Sequence, residues 1–414
     1  MYDIVIIGFG VSGIASAMLC KEYNKKFIVI EKKHTFGGCW EDAYNFTSLQ
    51  SDKKFYQYPN NPMPKEYPTY PNQLQIKAYL NSVINKYNLE NYVVYNSLVV
   101  KTLFDQKKKK WNIYYKNGEN NNTIETHYLL ICNGYYNKEI IPNINLNNFK
   151  GTIYTAKTLK NNFECLKNKN VTIIGNGATC CDILNGISLL EKEKNIKSLC
   201  KKLTIVYRSD KFYIKKFVGF ISVSLVIKKY ILLFLKRVPL IIYRILFKIV
   251  NLIFFSNYLN VPKVRINHSN IIGSTIIPTF INKKKIIYIK DDIIDIVNNH
   301  IILKKNYILN NDIIILATGY TTNFSFLQKE NTKRFKQIID PEIENCGFIG
   351  LSPSYNWAQV SYNQAKWFLE NLSSNNKLSK KLMYDDIDTF DRYQTKFDIE
   401  YDDLTYEIFN YLKK

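Results

Sequence analysis

"YDIVIIGFGVSG", residues 2–13, runs from a short apolar stretch straight into a glycine turn. The β-branched run "DIVII" has the composition of a buried parallel strand. Gly8, Gly10 and Gly13 then fall in the pattern Gly-x-Gly-x-x-Gly. Gly8 permits a tight turn, Gly10 lets the backbone approach a pyrophosphate, and Gly13 lets the helix "IASAMLCKEY" pack close to the strand. Val11 and Ser12 open that helix, whose N-terminus offers free N–H groups and the positive end of its dipole to phosphate. The next strand, "KFIVIE", ends at Glu31 with Lys32 after it, where a ribose-binding carboxylate belongs. Glycines that merely turn a loop leave Glu31 unexplained, so the stretch is read as dinucleotide-binding.

The device recurs as "VTIIGNGATCCD" at 171–182, with Gly175, Asn176, Gly177, Ala178 and Thr179 in the loop and first helical turn. Cys180 replaces the third glycine, which a small side chain can do where the helix packs less closely. The following strand, "KLTIVYRSD", ends at Arg208 with no carboxylate before Asp210. An acid there would favour the free ribose hydroxyl of NAD. Arginine pairs instead with a 2′-phosphate, so the second loop is assigned to NADP(H). The competing reading of Arg208 is a solvated strand end.

"EKKHTFGGCW" at 31–40 places Gly37-Gly38 and Trp40 after the first acid, which resembles the second glycine pair of flavoproteins that carry two dinucleotides. The chain is similar to the flavin-containing monooxygenase family, and most of all to its plant YUCCA-type members. The resemblance extends over nearly the whole chain. "FKGTIYTAKTLK" at 149–160 follows the family pattern Phe-x-Gly-x-x-x-His, with Thr155 where the histidine stands. "YPTYPNQLQIKAYL" at 67–80 and "FIGLSPSYNWAQVSYNQAKW" at 348–367, with Gln364, match further stretches. "HYLLICNGYY" at 127–136, turning at Gly134, and "NDIIILATGY" at 311–320, with Thr318 and Gly319, look like the return strands of the two nucleotide units.

The resemblance implies an α/β fold of two dinucleotide-binding, Rossmann-like domains, with the NADP domain inserted in the FAD domain. The expected bounds are 1–160 and 316–414 for the FAD domain and 161–315 for the NADP domain, with a helical insert near 211–260. It implies FAD on the first loop and NADPH on the second. The family's chemistry is hydride transfer from NADPH to FAD and addition of O2 at flavin carbon 4a. The hydroperoxyflavin then passes one oxygen atom to a small-molecule substrate, in N-, S- or 2-oxo-acid-type oxidation. The protein must orient the nucleotide and exclude water. In register with the family's oxygen-side residues stand Asp52 and Lys53, whose alternative reading is a solvated turn.

Composition narrows the remaining choices. The 414 residues suffice for two domains with cores of their own, and 46% are hydrophobic, as in a globular chain. The net charge of +22 suits an anionic ligand or surface, or a general bias toward Lys, Asn, Ile and Tyr. No nucleic-acid motif accompanies it. Eight cysteines lie without metal-ligand spacing, and a reduced intracellular setting fits them, with no metal expected. Met1 leads directly into a strand, which leaves no room for a signal peptide. Between Lys211 and Lys290 there is no Asp or Glu. Within 211–255, Lys228, Lys236 and Arg244 interrupt a strongly apolar stretch, and the spacing of Lys229, Lys236, Arg237, Arg244 and Lys248 gathers them on one broad side of a helix. Two readings stand for it: an interfacial helix pair on an anionic leaflet, or helices covering the nucleotide domain. The expected location is therefore cytoplasmic, with or without peripheral contact to an intracellular membrane. Three rival functions are weighed. A disulfide reductase would need a partner thiol close after Cys39. A membrane-associated NAD(P)H dehydrogenase would use the basic segment. A catalytically degenerate member of the family is suggested by Thr155.

Overall fold

The computed structural model describes residues 1–160, 162–218, 220–223, 242, 271–305, 307–328, 333–351, 356–372 and 379–397. The cations of the expected membrane-facing helices, from Lys229 to Lys248, lie outside the described residues. Among the described residues no helix is long and apolar enough to cross a membrane.

The chain divides into two compact units. The first comprises Met1–Glu41, Lys53–Lys138 and Thr322–Lys414; the second comprises Asp42–Asp52 and Glu139–Thr321. The expected boundary at 160 thus moves to 138, and that at 316 moves to 322. The cause is strand pairing. Thr152–Thr155 lies parallel to Ile313–Leu316, in the register Ile313 to Thr152, and so enters the second sheet. The segment 42–52 also joins the second unit, which its sequence does not announce.

In the first unit, β1 (Tyr2–Ile7), β2 (Phe27–Ile30), β3 (Val93–Val94), β4 (Ser97–Asp105), β5 (Lys110–Asn117) and β6 (Asn120–Ile131) run in the order β3-β2-β1-β6-β5-β4. The first three and the end of β6 are mutually parallel, while β4 to the start of β6 forms an antiparallel meander. Cys346–Phe348 adds a further parallel strand beside the end of β6. Ile4, Val5 and Ile6 in the middle of this sheet have no exposed surface, as expected where helices cover both faces. The helix Val11–Glu22 is buried along ten residues from Val11 to Cys20 and packs on Trp357–Asn371. This explains its almost unbroken apolar sequence: it is a core helix with no wet face.

The second unit holds a five-stranded, wholly parallel sheet. Its order is Ile287–Lys290, Lys202–Tyr207, Asn170–Ile174, Ile313–Leu316, Thr152–Thr155. The helix Ala178–Glu193 buries Cys180, Cys181, Ile183, Leu184 and Ile187 against it. An antiparallel ribbon, Ile293–Val297, His300–Leu303 and Ile308–Asn310, follows the outer strand. Segment 42–52 is pinned to this unit at several points. Tyr44 is buried, stacks on Phe46 and donates its hydroxyl to Ala156 O. Lys216 Nζ donates to Ser48 Oγ at 2.6 Å and Leu49 O at 3.0 Å, and Gln50 Oε1 accepts from Gly273 N.

Candidate functional site

Each unit carries one glycine loop at the C-terminal end of a central parallel strand, where open α/β sheets take their ligands. The two loops solve the same steric problem. Gly8 has φ +98°, and a Cβ there would meet Cys132 O at 2.7 Å. Gly175 has φ +109°, and a Cβ there would meet Ala317 O at 2.3 Å. In both, the loop lies directly against the end of the neighbouring strand, so only glycine fits. Gly134 and Gly319 stand just beyond those strand ends with φ +85° and +92°, and no heavy atom lies within 4 Å of the Cβ either would carry.

The helices that follow begin at Gly10 and Gly177. Both have ordinary extended backbone, and neither helix has a side-chain cap on its first-turn N–H groups. Uncapped N–H groups behind a glycine are what an anion needs at a helix N-terminus. Around Gly177 there is open space within 4 Å, whereas a Cβ on Gly10 would come within 3.3 Å of Gly38 Cα.

Gly13 and Cys180 differ for a geometric reason. A Cβ on Gly13 would lie 1.9 Å from Gly8 O, so the first helix touches its own strand turn. At the second loop the helix stands far enough off to bury the Cys180 side chain completely. Burial pushes that thiol well above its ordinary pKa, so it is a packing group and not a nucleophile.

The first loop is lined as a nucleotide cradle. Glu31, 5% exposed, accepts from Phe9 N at 2.6 Å and Lys33 N at 2.9 Å, one bond on each carboxylate oxygen. A carboxylate has about four acceptor positions, which leaves room for ribose hydroxyls. Lys32 is exposed. Its neighbour Lys33, not singled out in the sequence, ties Nζ to Gly38 O and thereby fixes the second glycine pair. Gly37 N donates to Phe9 O, bringing that pair onto the first loop. Trp40 is buried and donates Nε1 to Tyr56 Oη at 2.7 Å. Val11 O accepts from Tyr58 Oη, and Ser12 Oγ shares a hydrogen bond with Ser361 Oγ. Gln364 Oε1 accepts from Gly350 N, while its Nε2 is buried without a partner. Gln73 holds Trp40 O through Nε2 and leaves Oε1 equally orphaned. Two buried amides with a free donor and a free acceptor suit a polar, flat ligand such as FAD.

In the second loop Asn176, 4% exposed, is a hub. Its two side-chain amide protons go to Ser209 O at 3.1 Å and Tyr288 Oη at 2.9 Å, and its backbone carbonyl accepts from Tyr213 Oη. Arg208 is exposed immediately past Lys202–Tyr207, beside this anchored turn. A shallow pocket at the sheet end is lined by Thr155, Thr179, Thr318, Gly319 and Tyr320. Thr318 and Gly319 therefore stand in the second unit, correcting their expected place in the FAD domain. Thr155 caps the short helix Ala156–Leu159 by accepting from Thr158 N. Ala178 and Thr179 form the first turn over the open space at Gly177.

Asp52 and Lys53, the expected oxygen-side residues, have different surroundings. Lys53 Nζ donates to Pro64 O at 2.7 Å, Lys65 O at 3.1 Å and Tyr67 O at 2.6 Å. All three ammonium hydrogens are engaged, so Lys53 has none for a carboxylate or an oxygen intermediate. Through these bonds Lys53 closes the loop 64–67. Asp52 is 4% exposed and so is not part of a solvated turn.

One titratable cluster escaped the sequence reading. Burial raises Asp182 to about 7, a shift that nearby Lys216 partly offsets. Burial likewise lowers Lys216 to about 8, against the pull of Asp182. Nothing in "CCDIL" or "YIKKF" signals a meeting across that sequence distance. None of the eight cysteines is in a disulfide, Cys39 is exposed, and among the described residues no metal-holding group of His, Cys, Asp or Glu occurs.

The geometry thus defines an α/β protein with two dinucleotide cradles. Residues 2–412 match the family model for flavin-binding monooxygenase-like proteins, and the chain belongs to that family. It is 24% identical over 411 residues to human flavin-containing monooxygenase 1, covering 91% of this chain and 74% of that one. It is 28% identical over 176 residues to the probable indole-3-pyruvate monooxygenase YUCCA9 of Arabidopsis thaliana, covering 42% of this chain and 41% of that one. Among solved structures it resembles OTEMO in complex with FAD and NADP, with a TM-score of 0.68 at 16% identity, covering 89% of this chain and 85% of that one.

Proposed function

We propose that this protein is an FAD- and NADPH-dependent monooxygenase acting on a small molecule. The observation that carries the reading is the duplicated glycine loop with unlike surroundings. The first loop sits with the buried acid Glu31 and the closing pair Gly37-Gly38; the second sits with the exposed cation Arg208. A loop closed over by its own chain suits a resident cofactor, and one with open space at Gly177 suits a nucleotide that comes and goes. On this reading the first unit is the FAD domain and the second the NADP domain.

Bound flavin supplies the redox and oxygen chemistry. The chain's own part is to bind and orient. Glu31 would hold the adenosine ribose, and the N–H groups of Val11, Ser12 and Gly13 would hold the pyrophosphate. Gln364 and Gln73 have polar atoms free for the flavin end. In the second unit, the first-turn N–H groups of Ala178 and Thr179 would hold the NADP pyrophosphate, and Arg208 would pair with its 2′-phosphate. The substrate is of the N-, S- or 2-oxo-acid type, and the name of one relative, the probable indole-3-pyruvate monooxygenase YUCCA9, is in keeping with a 2-oxo acid.

The test is direct. Purified protein should be yellow, should be bleached by NADPH without oxygen, and should recover its colour when oxygen is admitted. NADPH oxidation coupled to an oxygenated product completes the assignment. Protein that carries no flavin when expressed with ample riboflavin would overturn it.

A further inference from the structure

We propose that Lys290 and Asp210 form a charge pair that sets the choice between NADPH and NADH, an inference that rests on the NADP reading of the second loop. The outer strand Ile287–Lys290 runs parallel to Lys202–Tyr207, with Lys290 opposite Tyr207. Arg208 is the next residue, so Lys290 ends its strand one position short of the arginine. The two strand ends are fixed to the same loop. Asn176 donates one amide proton to Ser209 O, between Arg208 and Asp210, and the other to Tyr288 Oη. Tyr288 and Lys290 are two residues apart on a strand, so their side chains project to one face. Tyr288 reaches the glycine loop, which puts Lys290 on the loop's side of the sheet. Tyr207 stacks on Tyr288 at 4.2 Å and stiffens the arrangement.

Lys290 Nζ lies 2.5 Å from an Asp210 carboxylate oxygen, with the two side chains 51% and 60% exposed. Ion pairs this exposed add little to stability. Their effect falls on what binds beside them. Asp210, two residues past Arg208, is the one carboxylate in "YRSD", and an acid at this edge is what accepts a ribose 2′-hydroxyl. Left alone, it would repel a 2′-phosphate and welcome NADH. Lys290 cancels that charge and leaves Arg208 to attract the phosphate. Its backbone is held in turn by Lys305 Nζ, which donates to Lys290 O. The other acid nearby, Asp291, is occupied by the N–H groups of Asp292 and Lys305.

The experiment is calorimetric titration of the flavin-loaded protein with 2′,5′-ADP and with 5′-ADP, at low salt, for wild type, Lys290→Ala, Asp210→Asn and the double variant. Lys290→Ala should weaken 2′,5′-ADP roughly three- to tenfold while 5′-ADP binding holds or strengthens. Asp210→Asn should bind 2′,5′-ADP at least as well as wild type. The double variant should recover most of what Lys290→Ala lost, because the carboxylate that Lys290 screened is gone. A merely structural role would move both ligands together. The proposal falls if Lys290→Ala leaves the ratio unchanged or the double variant stays as weak as Lys290→Ala. If wild type itself shows no preference for 2′,5′-ADP, the NADP assignment fails, and the proposal with it.

Discussion

Replacing Gly177 by alanine should separate nucleotide binding from folding. The residue sits at φ −81° and ψ −163°, which any L-residue adopts. An added Cβ meets no heavy atom within 4 Å. Two small effects on stability oppose each other. Loss of unfolded-state freedom favours the variant by about 0.4–1 kcal/mol. Alanine is a poorer N-cap than glycine by about the same order. Unfolding free energy should therefore stay within about 1 kcal/mol of wild type. The methyl group nonetheless occupies the space that a pyrophosphate needs to reach the first-turn N–H groups. Losing one such charge-assisted bond removes about 1.5–3 kcal/mol, which is roughly a ten- to hundredfold rise in the dissociation constant for NADPH. Thermal unfolding, flavin content and NADPH titration on one preparation make the assay. A Gly177→Ala protein that binds NADPH like wild type would refute the assignment of the second loop. One that loses its fold or flavin would refute the reading that this space belongs to the ligand.

Other perturbations have equally specific outcomes. Gly10→Val should give protein purified without flavin colour, because a Cβ already stands 3.3 Å from Gly38 Cα and the branch must enter the cradle. Lys53→Met should lower the urea midpoint by an amount equal to about 1–3 kcal/mol, since three carbonyls lose their donor, while NADPH oxidation per folded molecule persists; a catalytic lysine would give the reverse. Stability should also vary with pH through Asp182 and Lys216. Asp182 is raised from 3.8 to about 7, so its contribution is full below 3.8 and is lost as pH rises toward 7. Lys216 is lowered from 10.5 to about 8, so its contribution is lost as pH falls through 8 and grows as pH rises from 8 to 10.5. The result is a shallow minimum near pH 7–8, about 1–2 kcal/mol deep after discounting for the partly open site, read by urea unfolding across pH. Both slopes should vanish in Asp182→Asn/Lys216→Met.

What the chain's sequence decided alone is local chemistry. A glycine with φ near +100° at a strand end, an uncapped helix behind it and an acid or arginine after the next strand all fall within a few dozen residues. Each is required by sterics or by phosphate charge wherever the chain goes next. The two loops, their strands and the contrast of Glu31 with Arg208 could therefore be read directly. The third glycine's replacement was legible too, since Cys180 needs only a slightly looser helix. Tertiary structure decided whatever depends on partners distant in sequence. "SDKK" does not show that residues 64–67 fold back onto Lys53 and accept three hydrogen bonds from it. Nothing in "DAYNFTSLQSD" shows that it joins the second unit, because its anchors Ala156, Lys216 and Gly273 lie over a hundred residues away. Lys290 becomes a neighbour of Arg208 through sheet order, which pairs strands eighty residues apart in the chain. Side-chain chemistry is carried by the residue, but its protonation, partners and exposure are set by whatever the fold brings against it.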